Sequence, residues 1–287
     1  MSRLDIGAPP APNQIDDKTA FRFGANWRRF LQGMDERRIA GSVQALQQAL
    51  DTQDLSEKSF LDAGCGSGLS SLAARRLKAA VFSFDYDPES AACAETLKQA
   101  FAPGDTQWRI AHGSVLDPEY LGSLGQFDVV YSWGVLHHTG AMWRALENLV
   151  PLVAPGGALF IALYNDQGWI SRYWTWVKRT YVRHPASRWP LLMFHLPYLY
   201  VLRGLVRNLA GRGALERGMS LWHDMRDWVG GFPFEVARPE EVLHFLRRRR
   251  FELVNLNTCG GRHGCNEFVF IKRGGAALTA PEVVSQG

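Results

Sequence analysis

Cysteine is scarce in this chain of 287 residues: there are 4, at positions 65, 93, 259 and 265. They follow no framework spacing and no C-x2-C pair occurs, so a disulfide-stapled scaffold is excluded and a reducing, cytoplasmic setting is expected. Cys259, His263 and Cys265 fall short of the four ligands that zinc wants; free thiols in a hairpin loop are the better reading, and no metal site is expected. Charge of one sign is lacking too. The 32 Lys and Arg stand against 28 Asp and Glu, for a net charge of +4. No basic stripe results, so no nucleic-acid partner is expected, and the arginines at 247–250 read as the solvated end of a helix. Residues 1–17 are polar and proline-bearing, with no cationic flank before an apolar core, so no signal peptide is expected. Internal repeats and low-complexity tracts are missing. The one long apolar run, residues 189–206, is broken by Pro190, Pro197, His195 and Arg203. It argues against an integral membrane span and leaves a peripheral membrane contact open.

What is present is concentrated at Phe60-Leu61-Asp62-Ala63-Gly64-Cys65-Gly66-Ser67-Gly68. A short apolar strand runs into an acid and three glycines spaced by two. Those glycines remove the β-carbons that would hold a ligand off the backbone and permit positive φ in a tight strand-to-helix turn. A helix over residues 69–78 follows, with Leu72 and Leu77 to bury. The spacing is neither G-x-G-x-x-G nor that of a phosphate loop, and no Lys follows to hold a phosphate. Asp62 would repel one; it suits an ammonium group or hydroxyls.

Three further stretches stand downstream. Val81-Phe82-Ser83-Phe84-Asp85-Tyr86-Asp87 is an apolar strand ending on acids, with Asp87 before Pro88 reading as a helix cap. Trp108 to Asp117 is a third strand with an exit loop, and Asp117 before Pro118 reads as a second cap. Phe127-Asp128-Val129-Val130-Tyr131-Ser132-Trp133-Gly134-Val135-Leu136-His137-His138 is a fourth strand, followed by a fifth over residues 150–163, entered through Pro155-Gly156-Gly157. Together these stretches resemble the class I S-adenosylmethionine (SAM) dependent methyltransferases, with specific motifs over residues 55–165 and weaker ones over 239–273. The resemblance implies SAM as cofactor and an α/β fold: a Rossmann-like, doubly wound, mostly parallel seven-stranded sheet with an antiparallel C-terminal hairpin. Ligands in such sheets lie at the carboxyl ends of the strands. The implied cofactor set is Asp62, Gly64, Cys65, Gly66, Gly68, Asp85 on the ribose hydroxyls, Tyr86 over the adenine, Ser114 and Val115 at its edge, and Trp133. Family members often carry Asp where Ser114 stands here, so a hydroxyl and a backbone N–H must serve instead.

The expected organisation is a helical N-terminal cap (1–55), a cofactor-binding core (56–165), a helical, aromatic lid insertion (166–238), the rest of the core (239–273) and a tail (274–287). The insertion holds six of the ten tryptophans. Its first helix, over residues 166–183, places Trp169, Tyr173, Trp176 and Thr180 on one face with Ile170, Trp174, Val177 and Tyr181 beside them. A packed lid, a homodimer contact and a surface-lying helix are the readings open for the insertion, in that order. Residues 228–235, rich in glycine and aromatics, read as a loop folding over a pocket.

The sulfonium already activates the methyl, so positioning and water exclusion can do most of the work of transfer. His137 and His138 are the candidate bases at the rim. Tyr164 and Asn165 also face it and suit a substrate carboxylate or carbonyl; Asn165 reads equally as the cap of the next helix. The leading expectation is methyl transfer to O, N or C of a hydrophobic small molecule such as a secondary metabolite. Ser132-Trp133-Gly134-Val135 replaces the Asn/Asp-Pro-Pro-aromatic motif of amino-methylating nucleic-acid enzymes. An enzyme that cyclises or cleaves SAM and a non-catalytic SAM-binding protein are the alternatives.

Overall fold

A computed structural model of the chain describes residues 24–197, 229–260 and 264–274. The expectations for residues 1–17, 198–206, Trp228, His263 and 275–287 lie outside these. Seven strands form one sheet: β1 (Ser59–Ala63), β2 (Ala80–Asp85), β3 (Trp108–His112), β4 (Phe127–Trp133), β5 (Val153–Tyr164), β6 (Phe251–Asn257) and β7 (Cys265–Lys272). The order is β3-β2-β1-β4-β5-β7-β6, with β1 to β5 parallel and β7 antiparallel to both β5 and β6. The strand order reverses between β1 and β4, which opens a crevice at their carboxyl ends.

Burial on both faces explains the apolar runs of the central strands. On one face Leu61, Phe84, Val130, Leu159 and Ile161 pack under α6 (Met142–Leu149) and α9 (Pro239–Arg247) through Ala145, Leu146, Leu149, Val242 and Leu246. On the other, Phe60, Val81, Val129 and Phe160 meet Ile39 and Leu46 of α2 (Glu36–Leu50) and Leu72 and Ala73 of α3 (Leu69–Arg76). The N-terminal region thus adds a helical layer, and α1 (Gly24–Leu31) leads into it.

Local chemistry sets the helix starts. Asp87 accepts from Glu89 N–H ahead of α4 (Pro88–Phe101), and Asp117 from Glu119 and Tyr120 N–H ahead of α5 (Pro118–Gly122), each with Pro at the first helical position. Asn165 departs from the capping expectation. The helix α7 (Trp169–Arg183) starts later, with Gly168 at its N-cap, and the Asn165 side chain instead accepts from Asn266 Nδ2 at 3.0 Å. The pull of the C-terminal hairpin, 101 residues away, overrides the local cap.

The insertion builds its own small core. Trp174, Val177 and Tyr181 of α7 pack with Leu192 of α8 (Arg188–Leu196) and with Val229 and Phe234 of the returning chain. His195 Nδ1–H donates to Leu191 O, so its Nε2 accepts from Tyr173 Oη at 2.7 Å and ties the two helices together. Of the adjacent stripes on α7, the one holding Trp174, Val177 and Tyr181 turns inward; Trp169 and Trp176 remain exposed.

Gly68 begins α3 at φ 80°, where a β-carbon would lie 2.8 Å from Ala94 Cβ and 3.0 Å from its Cα. Strain and overlap act together there, and the backbone of α4 cannot give way cheaply. Gly68→Ala is expected to destabilise the fold by about 2 kcal/mol or more, read as a lowered urea midpoint with unchanged slope.

Candidate active site

The turn after β1 is closed on from three sides. A β-carbon at Gly64 (φ 87°) would lie 2.5 Å from the Val135 methyls, and one at Gly66 (φ 54°) would lie 2.9 Å from the Trp27 indole of α1. Asp85, at the end of β2, aims its carboxylate at this turn: Oδ2 accepts from Gly66 N–H and Oδ1 from Asp87 N–H, each at 2.9 Å. Burial pushes its pKa up to about 6 against the pull of those two N–H groups.

Asp62 lies deeper, 2% exposed. It accepts from Ser71 Oγ at 2.5 Å, Ser71 meets Ser83 Oγ at 2.7 Å, and Trp108 Nε1–H donates to Ser83 at 2.8 Å. This buried chain anchors the carboxyl, and burial, with Asp85 nearby, pushes its pKa up to about 7. Burial also pushes the Cys65 thiol well above its usual range, with Asp62 and Asp85 adding to the effect; the group is therefore a packing residue and a poor nucleophile.

The other expected cofactor residues are spread along the rim. Tyr86 is 56% exposed, its ring 6.2 Å from that of His112. Ser114 Oγ accepts from Leu116 N–H at 3.1 Å, and buried Val115 gives its carbonyl to Asn148 Nδ2 at 3.0 Å. Trp133 shares a cross-strand row with Ala162 and Glu267. Ala162 is small enough for the indole to reach across β5, and Nε1–H donates to Glu267 Oε1 at 2.8 Å.

The histidines form a second cluster with Tyr164, on the 3-10 turn Leu136–His138. The His137 ring lies 3.9 Å from that of Tyr164 and 4.5 Å from that of His138. Its Nδ1 accepts Tyr164 N–H at 3.3 Å, and the ring also hydrogen-bonds the Ala162 backbone. Burial, with His138 and Lys178 nearby, holds its pKa well below the usual range. His138 donates Nδ1–H to Pro233 O at 2.7 Å, which makes Nε2 its acceptor nitrogen. Burial lowers its pKa to about 4, the Pro233 bond opposing and Lys178 adding to the effect.

Sequence reasoning did not single out Glu235, Lys178 or Asn266. Glu235 Oε2 accepts from Met142 N–H at 3.0 Å, supplying the cap that Ala141 cannot give α6. Its own N–H donates to His137 O at 2.9 Å, and burial pushes its carboxyl up to about 7 against the Met142 and Gly140 N–H groups. Lys178 is fully buried, its ammonium 4.8 Å from the centre of the Phe234 ring, and Phe234 in turn lies 5.0 Å from Tyr164. Residues 229–235 thus fold over the histidine cluster. Fully buried Asn266 donates to Asn165 and accepts from Cys259 N–H, which sets the corner where β5 leaves the sheet.

The sheet order, the glycine turn and the carboxylate beyond β2 define a Rossmann-like methyltransferase core. Residues 61–159 match the family model described as a methyltransferase domain, and this part of the chain is similar to the class I SAM-dependent methyltransferases. Ubiquinone biosynthesis O-methyltransferase of Parvibaculum lavamentivorans is 33% identical over 107 residues, which make up 37% of this chain and 40% of that one. The similarity to that relative therefore spans well under half of its length. An uncharacterised methyltransferase of Mycobacterium tuberculosis is 29% identical over 170 residues, 57% of this chain and 83% of that one. Magnesium protoporphyrin IX methyltransferase of Synechocystis, solved with bound SAM, superposes with a TM-score of 0.55 at 15% identity, covering 92% of this chain and 100% of that one. At that identity the likeness concerns the fold.

Asp62 makes stability depend on pH in a stated direction. With its folded pKa near 7 and an unfolded value near 3.9, the native state holds the proton more tightly, and stability is lost as pH rises from about 4 through 7. Asn in its place still accepts from Ser71 and carries no charge to bury. Asp62→Asn is therefore expected to gain stability relative to the wild type across that window, by on the order of a few kcal/mol. Urea midpoints at pH 5 and pH 8 would show it; an unchanged gap between the two proteins would refute it.

Proposed function

We propose that this protein transfers the methyl group of SAM to a hydrophobic small-molecule acceptor, at the rim between the Gly64–Gly68 turn and the His138–Tyr164–Phe234 cluster. The observation that carries the reading is Asp85 lying against Gly66 N–H at the point where the strand order reverses. Asp85 takes the ribose hydroxyls, Tyr86 covers the adenine, and Ser114 with Val115 meets its edge. Asp62 supplies negative charge beneath the methionine ammonium, and a cation there would favour its ionised form. The aromatic rings of Tyr164 and Phe234, backed by Trp174, form an apolar wall for the acceptor and exclude water from the transfer. SAM supplies the electrophilic methyl when bound; the residues hold its partner in line.

Asp85→Ala removes a charge-assisted bidentate contact. It is expected to weaken SAM binding by about 1.5 to 3 kcal/mol, roughly tenfold to a hundredfold. In the wild type, affinity should fall as pH drops through about 6, where Asp85 takes up a proton. Calorimetry on both proteins tests this, and equal affinity in a folded variant would end the assignment. Incubation with SAM alone should leave the cofactor intact, since consumption without an acceptor would mean cyclisation or cleavage.

Methylating an O–H or N–H acceptor releases a proton. His138, lowered to about 4, holds one poorly at neutral pH, whereas Glu235, raised to about 7, is matched to the task. Glu235→Gln is expected to lower the rate by on the order of 10² to 10⁴ with little change in SAM affinity, and to abolish a rate inflection near pH 7. A near-normal rate in that variant would reduce the carboxylate to the cap of α6.

A further inference from the structure

One face of the insertion takes no part in the site described above. Trp169, Arg172, Trp176, Arg179 and Arg183 are the exposed residues of α7 together with no acid. At 3.6 residues per turn they fall within about 80° of arc, opposite the side that buries Trp174, Val177 and Tyr181. Trp169 and Trp176 are 69% and 57% exposed. The neighbouring α8 exposes Trp189, Met193 and Phe194, at 66%, 53% and 74%, and begins with exposed Arg188. Most of the surface of these large apolar groups faces water, and a water-facing indole is costly unless something else covers it.

We infer that the outer face of α7 and α8 docks on an anionic phospholipid membrane surface. Charge complementarity selects this occupant. Neither helix contains Asp or Glu, while Arg172, Arg179, Arg183 and Arg188 stand exposed on them. Indoles set among arginines are the groups that settle at the headgroup level, the ring in the acyl boundary and the guanidinium among phosphates. The face lies on the membrane: among the described residues no helix is long and apolar enough to cross one. The platform is firm because Tyr173 and His195 tie α7 to α8 and because the Arg188 guanidinium, 5.6 Å from the centre of the Tyr181 ring, donates to Tyr181 O.

Docking would bring the inner side of the same helix, which carries Trp174 against Tyr164 and Phe234, close to the bilayer. That corollary alone rests on the proposed acceptor site; the docking itself does not need the protein to be an enzyme.

The test is flotation of the full-length protein with vesicles of pure phosphatidylcholine and with vesicles containing equal parts phosphatidylcholine and phosphatidylglycerol. Binding to the anionic vesicles only, weakening as salt is raised, is expected. Two variants, Trp169→Ser with Trp176→Ser, and Arg172→Gln with Arg179→Gln and Arg183→Gln, should each bind about tenfold more weakly or worse. All five positions are exposed, so unchanged thermal unfolding should accompany the loss; a variant that unfolds earlier is replaced by its single substitutions. Failure of the wild type to float with anionic vesicles overturns the inference. So does undiminished binding of folded variants. Concentration-dependent self-association that the same substitutions abolish, without vesicle binding, would overturn it too and give the face to a second copy of the chain.

Discussion

Three elements distant in sequence close on the backbone of residues 64–68, and they can do so only because that backbone offers them no side chains. Val135 fills the space beside Gly64, Trp27 the space beside Gly66 and Ala94 the space beside Gly68. The loop after β4, the N-terminal helix and α4 are thereby brought to one point, and Asp85 completes the enclosure by bonding Gly66 N–H. A methyl at any of the three glycines would push one of these elements away. The placement of the rim follows from that constraint, because β1 is flanked by β2 and β4 and carries both with it.

Electrostatics within the rim run opposite to ordinary surface behaviour. The same burial that raises Asp62, Asp85 and Glu235 lowers His137 and His138. All five groups therefore lean toward their uncharged forms. An arriving cation would draw the carboxyls further toward their ionised states. Binding of a cationic ligand would then release protons, and binding of a neutral analogue would release fewer.

Local signals were the legible ones. Asp87 and Asp117 cap as their sequence context says, since the partner N–H groups lie two or three residues on. The glycine turn and the antiparallel hairpin were legible for a like reason: each is set by adjacent residues or by a recurring pattern. Asn165 was ambiguous because its deciding partner, Asn266, is remote. The bond from Tyr164 N–H to His137 Nδ1 was not legible, because the two residues lie 27 positions apart in sequence. Glu235 was invisible, lying 93 residues from the helix start it caps, although the capless Ala141 before α6 was a signal that some distant acceptor was needed.

The position of β7 has an outcome for how the molecule is made. This strand, although last in sequence among the seven, is not at the edge; it lies between β5 and β6 and supplies Glu267 to Trp133 and Asn266 to Asn165. While the chain is being synthesised, β5 therefore presents a bare row of backbone donors and acceptors until residues 265–272 have emerged, and β6 has no partner at all. An apolar strand left open in this way invites pairing with other chains. Holding that edge safe until the final strand arrives is thus a matter of timing, set by the topology and not by any single residue.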